Sequence, residues 1–287
     1  METNNPQTLY HYTTMSVLCS LLNNIEHLPS NNENGLAAYK LKFWISDTEY
    51  MNDPSESDFF LNSIGNAFIH YEEKYKLKEK SHIFINSFSI WEQLEGNKYI
   101  LSLSESKDSL SMWRAYGSNG QGVAIGFNKE KLQNFCQNTP KQKLVKIQYV
   151  DIIEHILSFP ETELKKLYDS ITIGKDKASA DMNIFLELTE TRRLCYKNKA
   201  YSDEKEWRLV SICNGECEYR ECNGLIIPYC EIKIPLDLIN CIIIGPCVKS
   251  ELSKRTLTDM IYNKVHGTGN VSEKIKIINS EIPYVIR

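Results

Sequence analysis

Residues Leu101–Phe127, LSLSESKDSLSMWRAYGSNGQGVAIGF, decide how this chain is read. Leu101 and Leu103 alternate with Ser102 and Ser104, the period of a half-buried strand. Asp108 stands where it caps a short helix, DSLSMWRAYG, that ends at Gly117. GVAIGF, Gly122–Phe127, then returns as a buried strand. Gly117, Gly120 and Gly122 lie after a helix and before a strand. That reverses the strand, loop, helix order of a dinucleotide fingerprint, so they read as a turn.

The same mixture extends in both directions. Upstream, Leu9–Thr13 is a short strand running into a helix at Met15–Ile25, where Leu18, Leu21, Leu22 and Ile25 fall at helical spacing. Leu41–Ser46 is a strand, and Asp53-Pro54-Ser55-Glu56 supplies an N-cap, a first-turn proline and a capping-box glutamate for a helix toward Tyr75. His82–Phe88 and Tyr99–Ser104 alternate as two strands. Downstream, Asn128 caps a helix, Leu144–Val150 is a strand, and Ile152–Lys199 reads as two helices broken near Ile173-Gly174, an inserted helical layer. Strands follow at Glu206–Cys213, Leu225–Ile234 and Ile239–Ile244, then a helix Lys249–Val265 and a strand Lys274–Ile278. Short strands with irregularly interspersed helices argue against βαβ repetition and for an α+β fold.

Of the 287 residues, 42% are hydrophobic and 24% charged, as in an ordinary globular protein. No Pro/Gly/Ser-rich linker interrupts them, so residues 1–287 are expected to form one domain with the 152–199 helical layer inside it. A net charge of −4 lacks the positive field that holds nucleic-acid phosphates non-specifically. METNNPQTLYHYT has no basic segment leading into an apolar run, and no stretch reaches the length of a spanning helix; a cytoplasmic protein without membrane contact is expected. Nine cysteines is an odd number and fits reduced thiols. Cys213, Cys217, Cys222 and Cys230 do not reproduce the paired knuckles of a zinc ribbon, so no metal site is assigned.

Four motifs stand out, in order: LYHYT at Leu9–Thr13, FWISDTEYMNDPSE at Phe43–Glu56, the Leu101–Phe127 stretch, and YSDEKEWRLV at Tyr201–Val210. Together they resemble an uncharacterised bacterial domain family whose members run LYHYT, NDPxE, an SFSE-like strand with WRAYG and GxxIGF, then ExEWR. The resemblance spans nearly the whole chain and brings no activity with it.

A looser resemblance brings chemistry. A first-strand histidine, a serine- or tyrosine-bearing middle motif and a late ExE glutamate are similar to the pattern of NAD-using ADP-ribosyltransferases, which implies a split or two-sheet β core with peripheral helices. It implies that His11 bonds the adenosine-side ribose, while Tyr12 and Thr13 receive the nicotinamide amide and its ribose. Glu206 would bond the nicotinamide ribose and stabilise the positive charge that develops as nicotinamide leaves. Glu204, the first glutamate of the pair, would orient an acceptor. The middle motif is either Ser102 and Ser104, on one strand face, or Tyr116 stacking on nicotinamide. The implied substrate is NAD, the implied acceptor a protein, a nucleic acid or water, and the implied setting a bacterial toxin or phage-defence effector.

Plainer readings stand beside these. In a strand, Glu206 and Arg208 share a face and would make an exposed ion pair of little worth. Trp207 points the other way, into the core. His11 would be a hydrogen-bonded structural histidine. Trp113, Leu110 and Tyr116 would be the core face of their helix. On all these readings the chain is a non-catalytic ligand-sensing or interaction module of bacterial stress or phage defence.

Overall fold

A computed structural model describes residues 7–28, 35–50, 55–77, 97–150, 161–172, 194–213, 217–222, 224–248, 251–265 and 274–285. Strand β1 (Thr8–Thr13) turns directly into helix α1 (Met15–Asn23), because the Thr14 side chain accepts the Val17 N–H at 3.1 Å. There follow β2 (Glu26–His27), β3 (Tyr39–Asp47), α2 (Ser55–Tyr75), β4 (Asn97–Ser104), α3 (Leu110–Ala115) and β5 (Val123–Asn128). Asn128 closes β5 and caps α4 (Lys129–Asn138) by accepting the Lys131 N–H at 2.9 Å. Next come β6 (Gln142–Lys146), β7 (Gln148–Val150), α5 (Glu161–Thr172) and β8 (Tyr196–Asn198). A 3₁₀ turn, Lys199–Glu204, leads into β9 (Glu206–Cys213), followed by the hairpin β10 (Glu218–Cys222) and β11 (Leu225–Pro235), then β12 (Ile239–Ile244), α6 (Glu251–Lys264) and β13 (Lys276–Asn279).

The fold is α+β, and among the described residues 11 strands share one mixed sheet. Its branch point is β4. One edge of β4 pairs with β9 along its whole length, from Asn97↔Cys213 to Ser104↔Glu206. The other edge is divided: β3 takes Tyr99 and Ile100, opposite Asp47 and Ser46, while β1 takes Ser104, opposite Tyr10. Two arms, β3–β11–β10 and β1–β5–β12–β13, therefore part beside Leu101–Leu103 and leave a notch in the sheet.

Residues directly opposite across a sheet share a face, so the register sorts the side chains. Ser102, Ser104, Glu206, Arg208, Ser46, Tyr229, Tyr10 and Tyr12 lie on one face. Leu9, Phe43, Ile45, Leu101, Leu103 and Leu209 lie on the other, where they meet Leu18 and Leu22 of α1 and Leu257 and Ile261 of α6 in the main core. Sheet faces of unequal polarity follow from the period of two; Glu206 lies on the polar face, whereas His11 and Thr13 lie on the other, and the notch between the arms is where residues of both faces line one cavity.

Several expectations are corrected. Asp108 is not the N-cap of α3: Ser109 occupies that position without a side-chain cap bond. Asp108 instead accepts Trp113 Nε1 at 2.6 Å, Ser280 Oγ at 2.8 Å and Glu281 N at 2.8 Å, tying α3 to the C-terminal segment. Leu110 is exposed and Met112 takes its place beside the fully buried Trp113. The expected strand Leu144–Val150 breaks at Ile147, whose N–H turns to the Glu206 carbonyl at 3.0 Å. In the expected helical layer, α5 is helical, but Tyr196–Asn198 is a strand paired with β7. The Asp53 cap, the His82–Phe88 strand and the break at Ile173-Gly174 lie outside the described residues. Strand β10 was not expected: EYREC is polar and sits at the sheet edge, where no apolar period is imposed. All nine cysteines are free thiols. Among the described residues, no helix is long and apolar enough to cross a membrane.

Candidate functional site

The parting of the arms opens a cavity of about 840 Å³, a size suited to a small-molecule ligand. Its lining includes Tyr12, Thr13, Ser102, Tyr116, Glu204, Glu206 and His11. These candidates come from β1, β4, the end of α3, the 3₁₀ turn and β9, brought together because β4 pairs with both β1 and β9. Ser104 is not among them. Fully buried, it donates to the Glu204 carbonyl at 2.6 Å and accepts the Ser106 N–H at 3.0 Å, which fastens the exit of β4.

By alternation His11 turns away from Tyr10 and Tyr12, and its ring meets Phe43 edge-on at 6.0 Å. The gap beside β4 gives it a partner: Nδ1 lies 2.9 Å from the Ser102 carbonyl oxygen. A carbonyl only accepts, so Nδ1 carries the proton. Burial lowers the His11 pKa below its ordinary 6.5, with the Ser102 bond opposing. The neutral ring with Nδ1–H leaves Nε2 as an acceptor, suited to a ligand hydroxyl.

Glu206 begins β9 on the polar face, and its side chain is 4% exposed. Four donors meet its carboxylate. Ser102 Oγ at 2.8 Å and Arg208 Nε at 2.9 Å reach Oε1, while Arg208 Nη2 and Lys197 Nζ, each at 3.1 Å, reach Oε2. Its backbone N–H donates to Tyr149 Oη at 2.7 Å. Burial pushes the Glu206 pKa up, but Arg208 and Lys197, helped by Ser102, outweigh it and hold the carboxyl below its ordinary 4.5. The ion pair with Arg208 is thus buried, not the exposed pair that the plainer reading expected.

Glu204 does not share the strand face with Glu206. It ends the 3₁₀ turn, and Lys205, in the left-handed region at φ 45°, swings the chain into β9. Its carboxylate still returns to the cavity: Tyr116 Oη donates to Oε1 at 2.6 Å and Lys197 Nζ to Oε2 at 2.7 Å. Lys197 therefore bridges both glutamates. Of the middle-motif candidates, Tyr116 and Ser102 line the cavity and Ser104 does not. Tyr12 spends its hydroxyl elsewhere, donating to the Ser106 carbonyl at 2.8 Å and accepting the Ser109 N–H at 3.3 Å.

The glycine turn closes against β1. A Cβ on Gly122 would stand 2.1 Å from the Thr13 carbonyl oxygen, and Gly120 has φ +85°, so both positions require glycine. Trp207, expected in the core, packs at its edge: Nε1 donates to Glu105 at 2.8 Å and Lys129 Nζ lies 4.1 Å from the ring centroid. Sequence reasoning missed Lys197, Tyr149, Ser46 and Arg220. Lys197 lies in a segment that reads as helix, and Arg220 in the unexpected edge strand.

A family model described as "Protein of unknown function (DUF2971)" matches residues 112–209, which contain Tyr116, Lys197, Glu204, Glu206 and Arg208. No curated protein and no solved structure matches the chain.

Proposed function

We propose that the chain is an ADP-ribosyltransferase-type enzyme that cleaves the nicotinamide–ribose bond of NAD and passes ADP-ribose to a macromolecule or to water. The observation that carries this reading is an ionised carboxylate, Glu206, held in the wall of a nucleotide-sized cavity and coupled through Ser102 to a neutral histidine. In the reaction the C–N bond breaks with its electron pair leaving on nicotinamide, whose ring charge is thereby neutralised. The ribose carbon becomes oxocarbenium-like and is attacked by an acceptor oxygen or nitrogen, which loses a proton. A fixed carboxylate beside that carbon lowers the barrier because its charge is already oriented. To accept the ribose hydroxyl, Glu206 exchanges Ser102 or Lys197 for the ligand. Glu204, with two of its roughly four acceptor positions occupied, keeps capacity for an acceptor's hydrogen bond.

The four donors on Glu206 also favour a second reading, in which the carboxylate is purely structural and the cavity senses a ligand without chemistry. Incubation with NAD, with and without candidate protein and nucleic-acid acceptors, separates the two. Free nicotinamide that appears with wild type and fades with Glu206→Gln supports the enzyme; saturable NAD binding without nicotinamide supports the sensor.

A further inference from the structure

We propose that Arg220 and Ser46 form a phosphoryl-binding subsite in the part of the cavity remote from Glu206, so that the ligand is a nucleotide that carries its phosphates there. The proposal deepens the NAD reading and rests on it for the ligand's identity, though not for the anion chemistry.

Arg220 crosses from the edge strand β10 toward the notch, and its Nη2 donates to Ser46 Oγ on β3 at 2.7 Å. Both residues line the cavity that holds Glu206. The Arg220 Nε is buried with no hydrogen-bond partner, an arrangement that costs free energy until an acceptor arrives. Other cations of the lining are already engaged: Lys197 by Glu204 and Glu206, Lys42 by Glu26 and Glu231. Among the described residues Arg220 has no carboxylate within ion-pair distance. A planar guanidinium with an open N–H, beside a serine whose hydroxyl accepts from it and so has its own proton to give, matches the geometry of a phosphate.

The span selects the ligand class. From Ser46 to Glu206 the register runs two strand spacings sideways, about 10 Å, and four residues along β9, about 13 Å. A single sugar cannot touch both; a nucleotide diphosphate can. Trp44, two residues before Ser46 on the same face of β3, also lines the cavity and is 48% exposed, which leaves an indole surface for a base.

Titration calorimetry with ADP-ribose, inorganic pyrophosphate and adenosine tests this on wild type and Arg220→Met, with matching thermal midpoints as the fold control. ADP-ribose and pyrophosphate should bind wild type, each at least tenfold more tightly than Arg220→Met, while adenosine binds both alike. Ser46→Ala, which keeps the charge but not its anchor, should lose less than Arg220→Met, and it replaces that variant if the latter does not fold. Equal ADP-ribose affinity in wild type and Arg220→Met, or no ADP-ribose binding to wild type, overturns the subsite. If Arg220-dependent binding is seen without nicotinamide release from NAD, the subsite stands and the enzyme reading falls. If nicotinamide is released with the same KM in Arg220→Met, the reverse holds.

Discussion

His11 and Glu206 are joined through one residue, Ser102: its carbonyl oxygen takes the His11 Nδ1 proton at 2.9 Å and its hydroxyl donates to Glu206 Oε1 at 2.8 Å. The link exists because Ser102 lies on β4 where that strand's far edge is unpaired, between the register points of β3 and β1. Burial keeps His11 neutral, and Arg208 with Lys197 keeps Glu206 ionised. The consequences are measurable.

Replacing Glu206 by Gln should cut nicotinamide release by a factor of about a hundred or more, since the amide keeps the shape and loses the charge. An exposed pair with Arg208 would have made the change harmless to folding; the buried network does not. Arg208 and Lys197 lose a shared counter-charge, and the variant should be destabilised by about 3 kcal/mol or more, read from chemical denaturation. An unchanged denaturation midpoint would mean that the network contributes nothing net.

His11 is held neutral by a pKa below 6.5, so the unfolded chain binds more protons than the folded one just under that value. Stability should fall as pH drops below 6.5, toward the folded-state pKa, and His11→Gln should flatten that part of the profile. Glu206 has the same sign in a more acidic window. Its folded pKa lies below 4.5, so its contribution is present above 4.5 and is lost as pH falls through the folded value. Thermal midpoints across the acid range, for wild type and each variant, check both.

Lys197→Met should leave Glu204 and Glu206 facing each other, with Arg208 still paired to Glu206 and Ser102 still bonded to it, raising the Glu206 pKa. The acid limb of nicotinamide release should then move to higher pH, whereas Lys197→Arg should hold it near wild type. An unmoved acid limb in Lys197→Met would show that Lys197 does not set the charge of Glu206.

Gly122→Ala should be destabilising by about 1–3 kcal/mol, because the new methyl would meet the Thr13 carbonyl at 2.1 Å and the Gly117 carbonyl at 2.8 Å. The clash is with backbone, which cannot rotate away. Since Thr13 lines the cavity, ligand affinity should fall with stability, as calorimetry and denaturation on one preparation would reveal.

Removing the Asp108 carboxylate with Asp108→Ala should cost about 2 kcal/mol or more, as Trp113 Nε1, Ser280 Oγ and the Glu281 N–H lose their acceptor together. Near-ultraviolet dichroism, which follows the packing of Trp113, should change with it.

By itself the sequence determined what depends on neighbours along the chain. Leu101 and Leu103 against Ser102 and Ser104 dictated a strand with one apolar face, Asn128 dictated a helix start, and the glycines after Trp113 dictated a turn. His11, Tyr116, Glu204 and Glu206 were readable as polar residues in places where composition alone did not require them. Only the tertiary structure decided how they meet. The branching of β4, the swing of Glu204 at Lys205, the sealing of Ser104 and the arrival of Lys197 and Arg220 rest on pairings between distant strands. Those pairings are chosen by burial over the whole sheet, for which a local pattern of two or 3.6 residues carries no information.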